Sequence, residues 1–417
     1  MRIRGKNIPI LELPGKVANH IKYKRESKTA DKRSAKDMLH FKPQKKVSGN
    51  EKIQVAFIAQ MPEVWDKQMD LFRYLLDDPH FDPVIIYVKQ YDFVSKSISA
   101  AGKNEIAFYT ELYGKDRVID YFERSDLDLT NYDYLFYDRP YNHYLPEALQ
   151  TYQTRKTNRI CLVNYCCRDG AGGFGYRDFA RDTYIWFAST LPEYETHLAD
   201  YTERPYNKVF DVGYPAFETY HALVTKEGKN RILWTPRWTL DESIGGSHFF
   251  TYIDNFIQFA KSHGDITLTI RPHPLMFDNL IEQKMLTAAE VEEIKSRCAD
   301  AGIRFDQNRI VADTFTETDI LITDYSSLIK MFMVMGKPVL YCPTDVAVNE
   351  EFKELMHAMY LTSSWEEIEQ TLKDLTAGKD DLKDTRDTMV SNILLRKRNT
   401  VAAIADILSA DYRDNRG

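Results

Sequence analysis

From Glu51 onward the chain alternates short apolar runs with longer stretches whose apolar positions recur at helical spacing. Val55–Ile58 reads as a buried strand, Trp65–Leu76 as an amphipathic helix and Pro83–Val88 as a second strand. Tyr134–Tyr137, Arg159–Val163 and Tyr184–Phe187 are further strands with helical stretches between them. The pattern restarts after the polar segment Val224–Asn230. Ile232–Trp234, Ile266–Ile270, Ile320–Thr323 and Pro338–Tyr341 read as strands; His248–Ser262, Ala288–Ala301 and Leu328–Met335 read as helices. Short apolar runs alternating with helices predict βαβ units and parallel sheets. Two such sets in succession predict an α/β protein of two doubly wound domains. A last helical stretch, Thr385–Ala410, is expected to pack back across both. Open parallel sheets bind ligands at the carboxyl ends of their strands, where strand order reverses. The crevice between the two domains is therefore the expected site.

Composition fits this picture. The 417 residues are 43% apolar and 28% charged, enough for two or three globular domains with large cores. The 26 Tyr and 22 Phe suit both such cores and the holding of flat polar ligands. The net charge of −7 argues against a generic nucleic-acid binder. That average conceals an asymmetry. Residues 1–50 hold 14 Lys/Arg against 4 Asp/Glu, a net of +10, while the rest of the chain carries −17. Apolar positions Ile8, Ile10, Leu11, Leu13, Val17 and Ile21 are interleaved with this charge. Two readings fit: an anchor lying on an anionic membrane surface, or a solvated tail. The five cysteines form no CxxC pair, no zinc-type cluster with histidine and no disulfide ladder, which fits a reducing cytosol. No apolar run reaches the ~18–20 residues of a membrane span, and Glu12, Pro14 and Lys16 interrupt any signal-type core. The expectation is a protein neither integral nor secreted through a cleaved signal.

Four segments could carry chemistry. In Asp319–Ser327 a buried strand leads through Asp324 into Ser326 and Ser327 and then an apolar helix. Free N–H groups at such a helix start favour an anion, with the hydroxyls as added donors; the same residues also make a simple N-cap. In Thr267–Pro274 an alternating strand delivers Arg271 and His273 to its carboxyl end between Pro272 and Pro274. A cation and an imidazole there can bind a pyrophosphate and give a proton to a leaving phosphate; a structural His in a proline-bounded turn is the competing reading. Ile232–Thr239 ends its strand in Pro236, Arg237 and Trp238, a cation beside either a stacking surface or a core Trp. Leu162–Gly173 runs from a strand into a glycine-rich loop with Arg168 and Asp169 but matches no phosphate-loop or dinucleotide pattern. No carboxylate cluster for a metal stands out, so the chain's own groups are expected to neutralise the phosphates.

Taken together, Arg271-Pro-His-Pro, then Thr323-Asp-Tyr-Ser-Ser327 about 50 residues on, then Gly336-Lys-Pro338, resemble the CDP-glycerol glycerophosphotransferase family of teichoic-acid and capsule polymerases. Asp211–Pro215 and Ile232–Pro236 resemble that family's interdomain motifs, so the likeness covers roughly residues 159–345. It implies a GT-B fold: a basic extension (1–50), an acceptor domain (51–225), a nucleotide-donor domain (226–395) and a C-terminal helix (396–417). It implies that Arg271, His273, Ser326 and Ser327 hold the donor's pyrophosphate and that Asp324 positions their loop; Arg237, at a place where many relatives have another polar residue, is expected from its own strand end to add a phosphate-binding cation. His273 is the expected catalytic group. The implied reaction moves a glycerol-phosphate group from CDP-glycerol to a lipid-linked or polymeric glycan, without cofactor or metal, at the cytoplasmic face of the plasma membrane. A sugar transferase on the same fold and an inactive glycan- or nucleotide-binding scaffold are the alternatives. One departure stands out. The family's polymerases carry a His-Gly-Thr motif whose His is thought to deprotonate the acceptor; here the matching strand end reads Asn164–Gly170. Asp169 is the carboxylate left there as a base, or a turn residue paired to an arginine.

Overall fold

The computed structural model describes residues 27–39, 52–90, 105–167, 169, 177–202, 204, 206–241, 245–274 and 276–414, with two-residue strands at 2–3, 6–7, 91–92 and 97–98. Most of the basic extension and the loop positions 168 and 170–176 lie outside them.

The first sheet has seven parallel strands: β1 (Ile53–Ala59), β2 (Phe81–Tyr87), β3 (Val118–Asp120), β4 (Tyr134–Tyr137), β5 (Arg159–Val163), β6 (Ile185–Ala188) and β7 (Lys208–Asp211). Their spatial order is β7-β6-β5-β4-β1-β2-β3. The second has six parallel strands: β8 (Arg231–Thr235), β9 (Thr267–Ile270), β10 (Arg304–Phe305), β11 (Ile320–Thr323), β12 (Val339–Tyr341) and β13 (Tyr360–Leu361), in the order β10-β9-β8-β11-β12-β13. This is the doubly wound arrangement that runs outward from its first strand and then returns to the other side. Each sheet therefore has one switch point, between β1 and β4 and between β8 and β11.

The helices that matter here are α1 (27–39), α2 (Met69–Asp77), α3 (Pro215–Ala222), α4 (Phe249–Ser262), α5 (Leu328–Met333), α6 (Glu350–Met356) and α7 (Thr400–Asp414). Strands buried on both faces carry two apolar sets, because successive side chains point to opposite sides. Val55 and Phe57 of β1 join a core that also contains Leu233, Leu321 and Val339 of the second sheet. Ala56 and Ile58 face a separate core behind the first sheet, and Ile232 and Trp234 one behind the second. The shared core passes through α3. Tyr220 meets Phe315 edge-on at 5.9 Å, and the ring Nδ1 of His221 pairs with the carbonyl of Val334 at 2.8 Å. The two sheets are thus joined by packed side chains as well as by chain.

Three predicted helices differ in extent. Trp65–Leu76 divides into a turn at Pro62–Trp65 and α2. In the gap the Asp66 carboxylate pairs with Lys67 and with the Tyr220 hydroxyl, while Gln68 donates to the Tyr137 carbonyl at 2.8 Å. The helix after Ser327 ends at Met333, two residues early. Thr385–Ala410 breaks between Leu394 and Thr400: a helix over Lys383–Met389 runs into a π turn at Val390–Leu394, and Asn399, at φ +55°, directly precedes α7. Glu218 then caps the start of α7, accepting from the N–H groups of Asn399 and Thr400 at 2.9 and 2.8 Å. Near its end α7 buries Asp411 against the first sheet, where it accepts from Tyr134 and Tyr184 at 2.7 Å each and from Lys208 at 2.6 Å.

Candidate active site

Both switch points are built the same way. An aspartate follows the fourth strand of each sheet and accepts backbone N–H groups from the loop after the first strand. In the first sheet Asp138 accepts from Gln60 and Met61 at 2.7 and 3.2 Å. In the second, Asp324 accepts from Arg237 at 2.9 Å and from His248 at 3.2 Å. Below it the hydroxyls of Thr235 and Thr323 meet at 2.6 Å across the paired strand ends. Asp324 also takes the Ser247 hydroxyl at 3.0 Å and the His248 ring Nδ1 at 2.7 Å, and its side chain is 1% exposed. A carboxylate so saturated holds Arg237, Ser247 and His248 in place.

Arg237 is the cation this loop presents. Its guanidinium lies 5.5 Å from the centre of the Tyr325 ring, a cation–π distance. Nη1 is buried without a hydrogen-bond partner, and Arg237 forms no ion pair among the described residues. Burial draws the guanidinium below its ordinary value, against the opposing pull of Tyr325 and Asp324. Gly245 makes the space: its φ is +105°, and a Cβ there would collide with Arg237 Nη1 and with Val346. A half-buried guanidinium with an unsatisfied, buried Nη1 at a switch point is a place for an anion.

His273 stands beside it at the end of β9, its ring centre 6.2 Å from that of Trp238. Its side is open to solvent, yet the protein around it and the nearby Arg237 lower its imidazole to about 4. Before a ligand arrives the ring is therefore neutral at pH 7. Ser326 is half-buried and its Oγ accepts the N–H of Leu328 at 3.2 Å, a local turn just before the helix and not an N-cap. Ser327 is exposed, and its side chain makes no cap. Because α5 spans only six residues, little macrodipole adds to these donors.

Arg271 departs from the sequence reading. It lies at the same strand end, but its guanidinium turns away to pair with Asp306 and donates to the carbonyls of Asn308 and Arg309 at 2.8 and 3.5 Å. With these partners it ties β9 to the segment after β10. Lys337 of the Gly-Lys-Pro segment is likewise engaged, donating to the carbonyls of Phe315 and Thr318 at 2.7 and 2.6 Å.

Asp169 departs as well. Its side chain is 2% exposed and pairs at 2.5 Å with Lys330 of α5, itself wholly buried and also 2.8 Å from Glu351 of α6. The Asp169 carbonyl accepts from Asn349 at 2.7 Å, and its N–H donates to the Tyr325 hydroxyl at 3.3 Å. Burial lifts the carboxyl to about 6. The two carboxylates hold Lys330 above its ordinary range. Despite that favourable basicity, a carboxylate closed off by an ammonium cannot reach an acceptor. Asp169 instead fastens the β5 loop to the second sheet. Cys166 and Cys167 in that loop are half-buried and buried, and neither is in a disulfide.

Sequence reasoning missed His248. The signal available was a His directly after Gly245-Gly246-Ser247, at the mouth of a long helix that follows the Arg237 strand end.

Comparison with known proteins bears on this geometry. Residues 202–410 match the model of the CDP-glycerol:poly(glycerophosphate) glycerophosphotransferase family, a span that holds Arg237, His248, His273, Asp324 and both serines. No curated protein sequence matches the chain. Among solved structures, the wall teichoic acid polymerase TagF, in a crystal soaked with CDPG, aligns over 99% of this chain and 100% of its own at 14% identity, TM-score 0.52. A UDP-N-acetylglucosamine 2-epimerase from Listeria monocytogenes aligns over 87% and 97% at 15% identity, TM-score 0.58. Another, from Neisseria meningitidis bound to UDP-GlcNAc, aligns over 86% and 100% at 11% identity, TM-score 0.55. At these identities the likeness is one of fold. Two parallel sheets facing each other in the GT-B manner, and a family model matched over half the length, lead to one conclusion: the chain belongs to the CDP-glycerol:poly(glycerophosphate) glycerophosphotransferase family and is a transferase of that kind.

Proposed function

We propose that the protein transfers a glycerol-phosphate group from CDP-glycerol to a hydroxyl of a lipid-linked or polymeric cell-surface glycan, with CMP leaving. The observation that carries this reading is Arg237 at the second switch point, without a counter-ion among the described residues, with His273 near enough to feel its charge and Ser326 and Ser327 at the start of α5 after the neighbouring strand. The donor's pyrophosphate would lie against Arg237 and the N–H groups and hydroxyls at Ser326 and Ser327. The acceptor oxygen attacks the β-phosphorus and releases its hydroxyl proton to solvent, the bond to the bridging oxygen breaks, and CMP departs with the electron pair. Donors already in place stabilise the charge spread over the phosphate oxygens. Anionic phosphates would draw a proton onto His273, which can then pass it to the departing oxygen. In this reading residues 226–395 form the donor unit and 51–225 the acceptor unit.

The site would work at the cytoplasmic face of the membrane, with residues 1–50 meeting anionic lipid. Of that segment the structure describes α1, which leaves Lys28, Lys32, Arg33 and Lys36 exposed. Among the described residues no helix is long and apolar enough to cross a membrane. The test is nucleotide release: purified protein, a membrane or glycan acceptor, and a panel of CDP-glycerol and nucleotide sugars including UDP-GlcNAc. CMP from CDP-glycerol alone is the expected result. UDP release from a sugar donor would move the assignment to a sugar transferase, and no release from any donor would leave a binding scaffold.

A further inference from the structure

We infer that His248 is a second imidazole of the donor site, and that its Nε2 contacts the donor's phosphates; the inference rests on the donor-site reading above. His248 sits immediately before α4, in the position of a helix cap, but its side chain does not cap the helix. The ring turns to Asp324 instead. Nδ1 is 2.7 Å from one carboxylate oxygen, and the His248 N–H lies 3.2 Å from the other. A carboxylate only accepts, so the proton is on Nδ1 and the tautomer is fixed. The ring lies nearly flat against Tyr252, 5.4 Å between centres and 15° between planes, which fixes its orientation as well.

That leaves Nε2. Among the described residues it has no hydrogen-bond partner, and the side chain keeps 27% of its surface in contact with solvent. A residue needed only to tether the loop would have no use for an open far edge. The tether also has a second anchor: Gly245 and Gly246, at φ +105° and +60°, bring the Ser247 hydroxyl to 3.0 Å from Asp324. Asp324 moreover accepts the Arg237 N–H, so one carboxylate sets both Arg237 and His248 on the same side of the switch point. Phosphate oxygens are acceptors, so the contact needs a proton on Nε2. The ring would then stand between Asp324 on one nitrogen and phosphate on the other.

The test separates tether from contact. In His248→Asn the amide reproduces the Nδ1–H bond to Asp324 and offers nothing at Nε2; in His248→Gln the amide reaches the Nε2 position. Binding of CDP and of cytidine to the full-length proteins is measured by calorimetry. His248→Asn should lose about tenfold or more in CDP affinity, the size of a lost hydrogen bond to a charged group, while cytidine binding stays unchanged. His248→Gln should recover part of the loss. Wild-type CDP affinity in His248→Asn overturns the inference and leaves the donor-site reading standing. Failure of the wild type itself to bind CDP overturns both. Should His248→Asn fail to fold, the wild type labelled with ¹⁵N-histidine answers instead, with His248→Gln used to assign the signal. A CDP-dependent shift of the His248 Nε2 resonance supports the contact, and an unmoved resonance overturns it.

Discussion

Two arginines with the same apparent promise separate on one fact, the presence of a counter-ion. Arg237 has none among the described residues, whereas Arg271 is committed to Asp306 and two carbonyls. Arg237→Met should therefore weaken CDP binding about 10–100-fold, with little change in the thermal midpoint. Arg271→Met should do the reverse: donor affinity nearly kept and stability lowered by about 1–3 kcal/mol, read from denaturant unfolding. Weak CDP binding by a well-folded Arg271→Met would restore that residue to the phosphate site. For His273 the sign follows from its lowered value. The free ring is neutral above about 4, and a bound polyanion favours its charged form. Donor affinity should therefore rise as pH falls from 8 towards 5, with proton uptake visible by calorimetry in buffers of different ionisation enthalpy. His273→Asn should reduce that uptake and cut turnover by roughly 10²–10⁴.

Strand ends and the loops they launch form the next scale. The paired use of Asp138 and Asp324 shows one solution applied twice: the free N–H groups after a first strand are taken up by a carboxylate from the neighbouring fourth strand. Lys330 links α5, α6 and the β5 loop through two carboxylates. Removing a buried cation strands its partners. Lys330→Met should cost about 3–5 kcal/mol, and adding Asp169→Asn and Glu351→Gln to it should regain most of that. Asp169→Asn alone should keep its turnover at saturating donor. A collapse of turnover in a stable Asp169→Asn protein would return that residue to the role of acceptor base.

At the scale of the molecule, α1 and α7 both pack against the unit built on the first sheet. In α1, Asp31 pairs with Arg181 at 2.6 Å and Asp37 with Arg155 at 3.0 Å, while Ser34 donates to the Arg181 carbonyl at 3.1 Å. The acidic face of this helix is spent on the body, and its basic face is turned outward. Deleting residues 1–26 should leave stability unchanged. Deleting 1–46 should lower it, since Arg155 and Arg181 would lose carboxylates from a half-buried setting. Both truncations should bind anionic vesicles more weakly than the full chain at low salt, because each lysine or arginine near such a surface contributes about 1 kcal/mol. Vesicle binding equal to that of the full chain in both would exclude an anchor role for the basic extension.

Local spacing alone was enough for the alternation of strands and helices, the restart after Val224, and the placing of Arg237, His273, Ser326 and Ser327 at strand ends. Each of these depends on residues within a few positions of one another. The edge strands Arg304–Phe305 and Tyr360–Leu361 were not legible, because two residues carry no period. The roles of the polar side chains were decided only in three dimensions. Asp306 captures Arg271 from 35 residues away. Lys330 closes off Asp169 across the gap between the sheets. Asp324 reaches back 76 residues to orient His248. The energy of a buried charge depends on which opposite charge shares its cavity, and that choice is made by the topology that brings β8 beside β11. The sequence by itself determined which residues could carry charge to the cleft; the tertiary structure decided which of those charges were already neutralised on arrival.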